Sequence, residues 1–329
     1  MKCVVTGGCG FLGSRFVRRL LDEGNKVIVF DNLSSGQAKN LDEVKENNNY
    51  SFVKGDITNK ISLANVLTKD ADMVFHLSAI VGVKEYCKDP LKVVDVNVIG
   101  TRNVLELSLK NNIKVMFAST SEIFGKNPNT PWAEDGDRVL GSTKIDRWSY
   151  SSSKAMCEHM IFAMNKNRGL SSVIVRFFNA YGPAQPPYFV ISQSVQKVLK
   201  NEQPLLYDSG NQTRCFTFVD DAIDGTMLAV KSKKAEGDVF NIASGKETKI
   251  REAVELIIEL AGKKGKIKYK NFDTSKYYGG SYEDIPRRVP DVSKAKKILG
   301  WEAKTSLHDG LKKTIEWSSQ NKWWLDLKN

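Results

Sequence analysis

Three observations predict an α/β fold built on a doubly wound parallel sheet with a smaller C-terminal lobe. Short apolar runs recur along the first half of the chain, and most are continuous rather than alternating. Amphipathic stretches of helical period separate them. The first run leads directly into a glycine-rich turn and then a helical pattern, the repeat expected of strand, crossover helix and parallel strand. In order, the strand candidates are Lys2–Thr6, Lys26–Asp31, Ser51–Lys54, Asp72–Leu77, Ile113–Ser119 and Ser171–Phe177. Their β-branched residues suit strands covered on both faces. The intervening helix candidates include Phe11–Glu23, Leu91–Lys110 and Tyr150–Asn167.

After Phe177 the pattern changes. Prolines cluster at Pro183, Pro186 and Pro187, and helices at Arg251–Ala261, Ser293–Leu299 and Ser306–Gln320 are separated by longer polar loops. The segment Cys215–Ala243 again reads strand, helix, strand and is expected to rejoin the first lobe. With 329 residues, and about 150 per domain, roughly two domains fit. The boundaries read 1–180 with 213–245 for the sheet domain, and 181–212 with 246–329 for the second.

Composition narrows the class. Hydrophobic residues make up 41% and charged residues 26%, which excludes disorder, collagen and coiled coil. No apolar run reaches the ~18 residues of a membrane span, and Thr6 and several glycines interrupt the N-terminus where a signal peptide would be continuous. The five cysteines, Cys3, Cys9, Cys87, Cys157 and Cys215, are odd in number and scattered without a C-x-x-C, so free thiols in a cytoplasmic setting are expected. Three histidines argue against a metal site. The net charge of +11 includes five lysines between Lys263 and Lys270, but one aromatic and no nucleic-acid module accompany them. That run reads as a solvated edge, so neither nucleic acid nor membrane is expected as a partner.

The turn Thr6-Gly7-Gly8-Cys9-Gly10-Phe11-Leu12-Gly13 stands between the first strand and first helix. Glycines allow a tight turn and close approach of a pyrophosphate, whose charge is stabilised by amides at the helix N-terminus. Asp31 ends the second strand, 18 residues beyond Gly13, near the ~20 expected for a carboxylate on an adenosine ribose. It would repel a 2′-phosphate, which favours NAD over NADP. The plainer alternative is a structural turn with an incidental carboxylate.

Tyr150 and Lys154 are four apart at the start of a helix candidate and therefore share a face. An ammonium beside a phenol favours the phenolate, making Tyr150 a credible general base for a hydroxyl proton. The competing reading is a solvated helix face. Ser119-Thr120-Ser121-Glu122 ends the fifth strand, at the carboxyl edge where open α/β sheets bind ligands. His159 lies about 180° round the helix from Tyr150 and is assigned to packing or surface.

Taken together these motifs resemble the extended short-chain dehydrogenase/reductase family, the NAD-dependent nucleotide-sugar epimerases and dehydratases. The resemblance runs through TGGCGFLG at Thr6–Gly13, Gly55-Asp56-Ile57, HLSA at His76–Ala79, Asn97 in DVNVIGT and ASTSEIFG at Ala118–Gly125. It continues through YSSSK at Tyr150–Lys154, RFFNAYGP at Arg176–Pro183, QTRCFTFVDD at Gln212–Asp221, RRVPD at Arg287–Asp291 and LGW at Leu299–Trp301. It implies a Rossmann-type domain in which Gly7, Gly10, Phe11, Leu12, Gly13, Asp31, Asn32, Asp56, Ile57, Leu77, Ala79 and Asn97 contact NAD, with Tyr150 and Lys154 also reaching the cofactor. Ser121, Tyr150 and Lys154 would be catalytic, with Thr120 a second hydroxyl candidate and Glu122 a further acid–base group. Asn179, Arg214 and Arg288 would hold a nucleotide diphosphate, as paired cations can. Family likeness also implies a homodimer packed through Leu91–Lys110 and Tyr150–Asn167.

The implied reaction starts with proton removal from the sugar C4 hydroxyl by Tyr150 as hydride passes to NAD. The 4-keto sugar is then a branch point: 4-epimerisation, loss of a C5 carboxylate, or 4,6-dehydration. Glu122 resembles the decarboxylases and some dehydratases at that step. GDRVLGSTKIDRWSY at Gly136–Tyr150 and YEDIPRRVPD at Tyr282–Asp291 look most like UDP-sugar 4-epimerases, and also like UDP-glucuronate decarboxylases. The chain departs from both after Gly182, reading PAQPPYFVIS, with Phe189 where relatives often carry an arginine for a uronate carboxylate. A carboxylate in a pocket without a cation is costly, so a UDP-hexose or UDP-hexuronate 4-epimerase is expected, with decarboxylase or dehydratase as the alternative. An NAD-binding regulatory protein on the same fold is the non-enzyme alternative.

Overall fold

In a computed structural model that describes residues 1–274, 276 and 282–328, the chain divides into two compact units. The first comprises Met1–Ile123, Asp146–Arg176 and Thr226–Phe240. Its strands are β1 (Lys2–Thr6), β2 (Lys26–Asp31), β3 (Tyr50–Lys54), β4 (Met73–His76), β5 (Lys114–Thr120) and β6 (Ser172–Phe177). With the strand Val239–Ile242 they form a seven-stranded sheet in the order Val239–Ile242, β6, β5, β4, β1, β2, β3. The pairs from β3 to β5 are parallel. Central strands are buried along most of their length, whereas β3 is half-buried or exposed at every residue, as an edge strand should be. Val4, Phe30, Val74, Val115, Phe117 and Ile174 form the sheet side of a core against which Val104 and Leu105 pack.

The order reverses between β1 and β4, the topological switch point where doubly wound sheets bind dinucleotides. Helix boundaries follow the sequence closely for Phe11–Asp22 and for Trp148–Arg168. The expected single helix Leu91–Lys110 is corrected: it consists of Pro90–Val94, a π-helical turn Asp95–Gly100 and Thr101–Asn111. A π turn adds a residue without breaking the helix, so apolar periodicity misses it; such turns often mark functional sites. Here it buries Asn97, whose Oδ1 accepts from the Ile80 amide at 2.9 Å while Nδ2 donates to Ser153 Oγ at 3.1 Å.

The second unit comprises Phe124–Ile145, Phe177–Gly225 and Asn241–Asn329, within the described residues. Phe124–Ile145, placed on the sequence with the first domain, falls here because Trp132 donates its backbone N–H to Val289 and its carbonyl accepts from Asn241 Nδ2. Its rings anchor it: Phe124 stacks on Trp132 at 5.0 Å, with Phe178 beside both. Segment 213–245 contributes to both units, Thr226–Phe240 to the first and the remainder to the second. Helices Val190–Leu199, Ile250–Leu260 and Leu307–Gln320 pack together, and Val195, Ile257 and Leu311 are buried on them. A three-stranded sheet places Thr213–Cys215 between antiparallel Glu247–Lys249 and parallel Arg287–Arg288.

Candidate active site

In the first unit, the loop after β1 passes close against the segment after β4. Gly7 has φ +71°, and a Cβ there would lie 2.8 Å from the Ser78 amide nitrogen. A Cβ on Gly13 would land on the Gly7 carbonyl. Only glycine permits this closeness, which brings backbone amides toward a phosphate-sized group. Gly10 caps the helix that Phe11 and Leu12 open, and no acidic side chain occupies its first turn, so nothing there offsets the positive end of the helix dipole.

Asp31 is nearly buried at the end of β2. Its Oδ2 accepts the Cys9 amide at 3.0 Å and its Oδ1 the Leu33 amide at 2.8 Å. Burial pushes its carboxyl pKa up, against the pull of those two amides. Asn32 Nδ2 donates to Asp56 Oδ2 at 2.8 Å, while Asp56 Oδ1 accepts from the backbone and hydroxyl of Thr58. Burial opposes ionisation of Asp56, but these donors and Lys92 hold its pKa below the ordinary range. Ile57 is buried, and Leu77 and Ala79 are half-buried after β4. A glycine cradle at a helix N-terminus, with an acidic residue ending the neighbouring strand, fits a dinucleotide carrying a free ribose.

The catalytic candidates lie on β5 and the helix Trp148–Arg168. Thr120 and Ser121 are buried where β5 passes into a 3₁₀ turn, and Thr120 Oγ1 accepts from the Glu122 amide at 3.1 Å. Lys154 is buried, donates to the Ala118 carbonyl at 2.8 Å and sits 4.7 Å from the Phe117 ring centroid. Burial lowers its pKa to about 8, against the opposing influence of Cys157 and Glu158. One turn further, Glu158 forms a two-pronged ion pair with Arg176, at 2.6 and 3.0 Å, and accepts from Ser119 Oγ. These contacts fix the helix against β5 and β6. The competing reading, a solvated face, therefore does not hold at Lys154.

Tyr150 is 8% exposed, and its ring lies nearly parallel to that of Tyr86, 5.1 Å away at 11°. The Tyr86 hydroxyl donates to Glu122 Oε1 at 3.4 Å, and Arg147 Nη2 lies 3.6 Å from Glu122 Oε2. The fold thus links two sequence candidates, Tyr150 and Glu122, through residues that sequence reasoning missed. A signal for Arg147 was present: it precedes Tyr150 by three residues, one helical turn. Tyr86, in VKEYCK, carried none. His76 is fully buried between the hydroxyls of Thr6 and Thr101, at 2.7 and 2.9 Å, and burial together with Lys154 lowers its pKa to about 3. It is a neutral spacer. His159 is exposed, as expected.

The diphosphate candidates belong to the second unit. Arg214 and Arg288 are register partners in adjacent strands, and both are buried. Arg214 donates to the Thr213 and Ile285 carbonyls and pairs with Asp284 at 3.0 Å. Asn179 has φ +40°, and its side-chain oxygen is buried without a hydrogen-bond partner among the described residues. All five cysteines are free thiols, and no cluster of metal-ligating side chains occurs among the described residues.

A mostly parallel seven-stranded sheet with a dinucleotide cradle at its switch point and Tyr-x-x-x-Lys on an adjoining helix defines a Rossmann-type dehydrogenase-like enzyme. The family model described as GDP-mannose 4,6 dehydratase matches residues 4–314, and the chain belongs to that family, within the NAD-dependent nucleotide-sugar epimerases and dehydratases. It is 38% identical over 319 residues to UDP-N-acetyl-alpha-D-glucosaminuronate decarboxylase of Bacillus cytotoxicus, covering 96% of this chain and 97% of that one. It is 34% identical over 329 residues to UDP-glucuronate 4-epimerase of Thermodesulfobacterium geofontis, covering 97% and 96%. The dTDP-glucose 4,6-dehydratase of Bacillus anthracis, solved in complex with NAD, superimposes with a TM-score of 0.85 at 32% identity, covering 98% of each chain.

Proposed function

We propose that this enzyme is an NAD-dependent 4-epimerase of a UDP-hexose or UDP-hexuronate, acting through a 4-keto sugar. The observation that carries the reading is the buried Lys154 ammonium, four residues from Tyr150 on one helix and anchored to the end of β5. A cation in that setting favours the phenolate and so equips Tyr150 to remove the C4 hydroxyl proton. NAD supplies the reversible hydride acceptor. Ser121, with Thr120 beside it, offers a hydroxyl to orient the substrate oxygen. Gly7, Gly10, Phe11, Leu12 and Gly13 receive the pyrophosphate of NAD, Asp31 and Asn32 the adenosine ribose, and Asp56, Ile57, Leu77, Ala79 and Asn97 line the rest of its path. Asn179, Arg214 and Arg288 bind the diphosphate of the sugar nucleotide, and the UDP-sugar names of both curated relatives support uridine.

A homodimer is part of the proposal. Leu91, Val94, Ile99 and Met156 are exposed apolar side chains on the segments that family likeness assigns to the interface. The free thiols agree with a cytoplasmic setting. No described helix is long and apolar enough to cross a membrane.

Decarboxylation is the second reading, because Glu122 stands beside the catalytic helix with a buried arginine 3.6 Å away and the decarboxylase relative acts, by its name, on a uronate. Product NMR after incubation with UDP-glucose, UDP-N-acetylglucosamine and UDP-glucuronate separates the two. Inverted C4 with an intact C6 supports the proposal, and a pentose product overturns it.

A further inference from the structure

Three segments form a chain of contacts that ends on the face of the Tyr150 ring. Tyr86 comes from the helix Val83–Lys88 after β4, Glu122 from the turn after β5, and Arg147 from the residue that caps the Tyr150 helix. Tyr86 is 2% exposed and Arg147 wholly buried, so this is not a surface association. The near-parallel rings of Tyr86 and Tyr150 sit at stacking distance. Val93, Ile80, Val81 and Val83 close the apolar sides of the pair. At its other end, Tyr86 is tied by its hydroxyl to one oxygen of Glu122, whose second oxygen faces the Arg147 guanidinium. That guanidinium also lies 5.2 Å from the Trp148 ring centroid.

Burying an arginine is costly unless a partner matches it, and a matched buried pair is at best weakly stabilising. The Glu122–Arg147 pair is neutral overall, so it places no net charge beside the phenol. What it does supply is direction. We propose that Tyr86, anchored by Glu122 and Arg147, is a positioning residue for Tyr150, setting the plane and tilt of the ring so that its hydroxyl meets the sugar. The inference rests on Tyr150 being the base. Misplacing a reacting group by ~1 Å costs about 100-fold, so a stacking partner with a polar contact at its far end bears directly on catalysis.

The test uses the full-length protein with NAD and whichever of UDP-glucose, UDP-N-acetylglucosamine or UDP-glucuronate it turns over. Tyr86→Leu removes the stack and is expected to lower kcat by roughly 30- to 100-fold with KM within about twofold. Tyr86→Phe keeps the stack but frees its far end, and roughly a threefold to tenfold loss in kcat is expected. Arg147→Met should resemble Tyr86→Phe, and Arg147→Lys should recover most of that loss. Ring NMR of Tyr150 gives a readout that needs no substrate: slow ring flipping in the parent protein and fast averaging in Tyr86→Leu, or in Tyr86→Met if the leucine variant does not fold. Unchanged kcat with unchanged ring dynamics would overturn the inference, as would losses confined to KM or to the melting temperature. A Tyr150→Phe control separates the two claims. If that variant keeps normal turnover the base assignment fails; if it is inactive while the Tyr86 variants are normal, only the positioning role fails.

Discussion

Arg214 and Arg288 stand side by side as register partners in adjacent parallel strands, both buried. Partners in register project to the same face of a sheet, so two guanidinium groups share one region. Asp284 answers Arg214 directly at 3.0 Å. A diphosphate brought to this face adds further negative charge with the forked geometry arginine favours. Arg288→Met is therefore expected to raise KM for the nucleotide sugar at least tenfold while changing kcat less than threefold, the pattern of lost uniform binding. The same variant should lose the rise in melting temperature that UDP gives the parent protein. Steady-state kinetics and thermal shift check both.

Asp31 should select NAD over NADP. Its carboxylate is set by the amides of Cys9 and Leu33, which hold it at the mouth of the glycine turn. A 2′-phosphate there would meet like charge, and a ribose would lose a charge-assisted partner if the carboxylate were removed. Asp31→Asn is expected to weaken NAD about tenfold and to narrow the gap between cofactors. Binding isotherms for the two cofactors would contradict this if the parent bound them equally.

Lys154 makes a prediction about pH. Its pKa is about 8 when folded, lowered by burial from an ordinary 10.5. Between those values the unfolded chain binds the extra proton and the folded chain does not, so the folded state gains stability as pH rises. The gain is at most about 1.4 kcal/mol per pH unit. Other groups titrate in the same range, so the quantity to measure is the difference between parent and Lys154→Met. Urea unfolding from pH 8 to pH 10.5 should show the parent gaining on the variant. A constant difference would mean that burial does not perturb this lysine.

Much of this was legible in the chain. Strands β1, β2 and β4 to β6 are covered on both faces, and their continuous apolar runs say so. The glycine turn was legible because close backbone approach leaves few residue choices, and so was the place of Asp31 at the end of β2. The π turn at Asp95–Gly100 was not legible, since one extra residue per turn leaves the apolar pattern almost intact. Nor was the membership of Phe124–Ile145, which is set by long-range pairing of Trp132 with Val289 and Asn241 rather than by local pattern. At the site, the spacing of Tyr150 and Lys154 put both on one helix face but left a solvated face open, and the burial of Lys154 needed the fold. The stack of Tyr86 on Tyr150 was not, because it joins residues 64 positions apart through a turn in the fold.

Tyr150→Phe should abolish hydride transfer, by at least ~10³-fold, while leaving binding of the sugar nucleotide within about threefold. The ring and its stack remain, and only the proton acceptor is lost. Stopped-flow absorbance of reduced cofactor and UDP-sugar binding isotherms measure the two halves. Near-normal turnover would remove Tyr150 from the mechanism.

Glu122 separates the possible outcomes at the 4-keto stage. If C4 alone is inverted, no proton moves at C5, and Glu122→Gln should slow turnover by about tenfold, near 1.4 kcal/mol of barrier. Losses of ~10² to 10⁴ belong to decarboxylation or dehydration, where a proton-transfer group is removed. The most direct measurement is proton NMR of the product formed from UDP-glucose, UDP-N-acetylglucosamine or UDP-glucuronate in deuterated water. An inverted C4 with hydrogen retained at C5 is the predicted spectrum. Deuterium at C5, or release of carbon dioxide from UDP-glucuronate, would contradict 4-epimerisation.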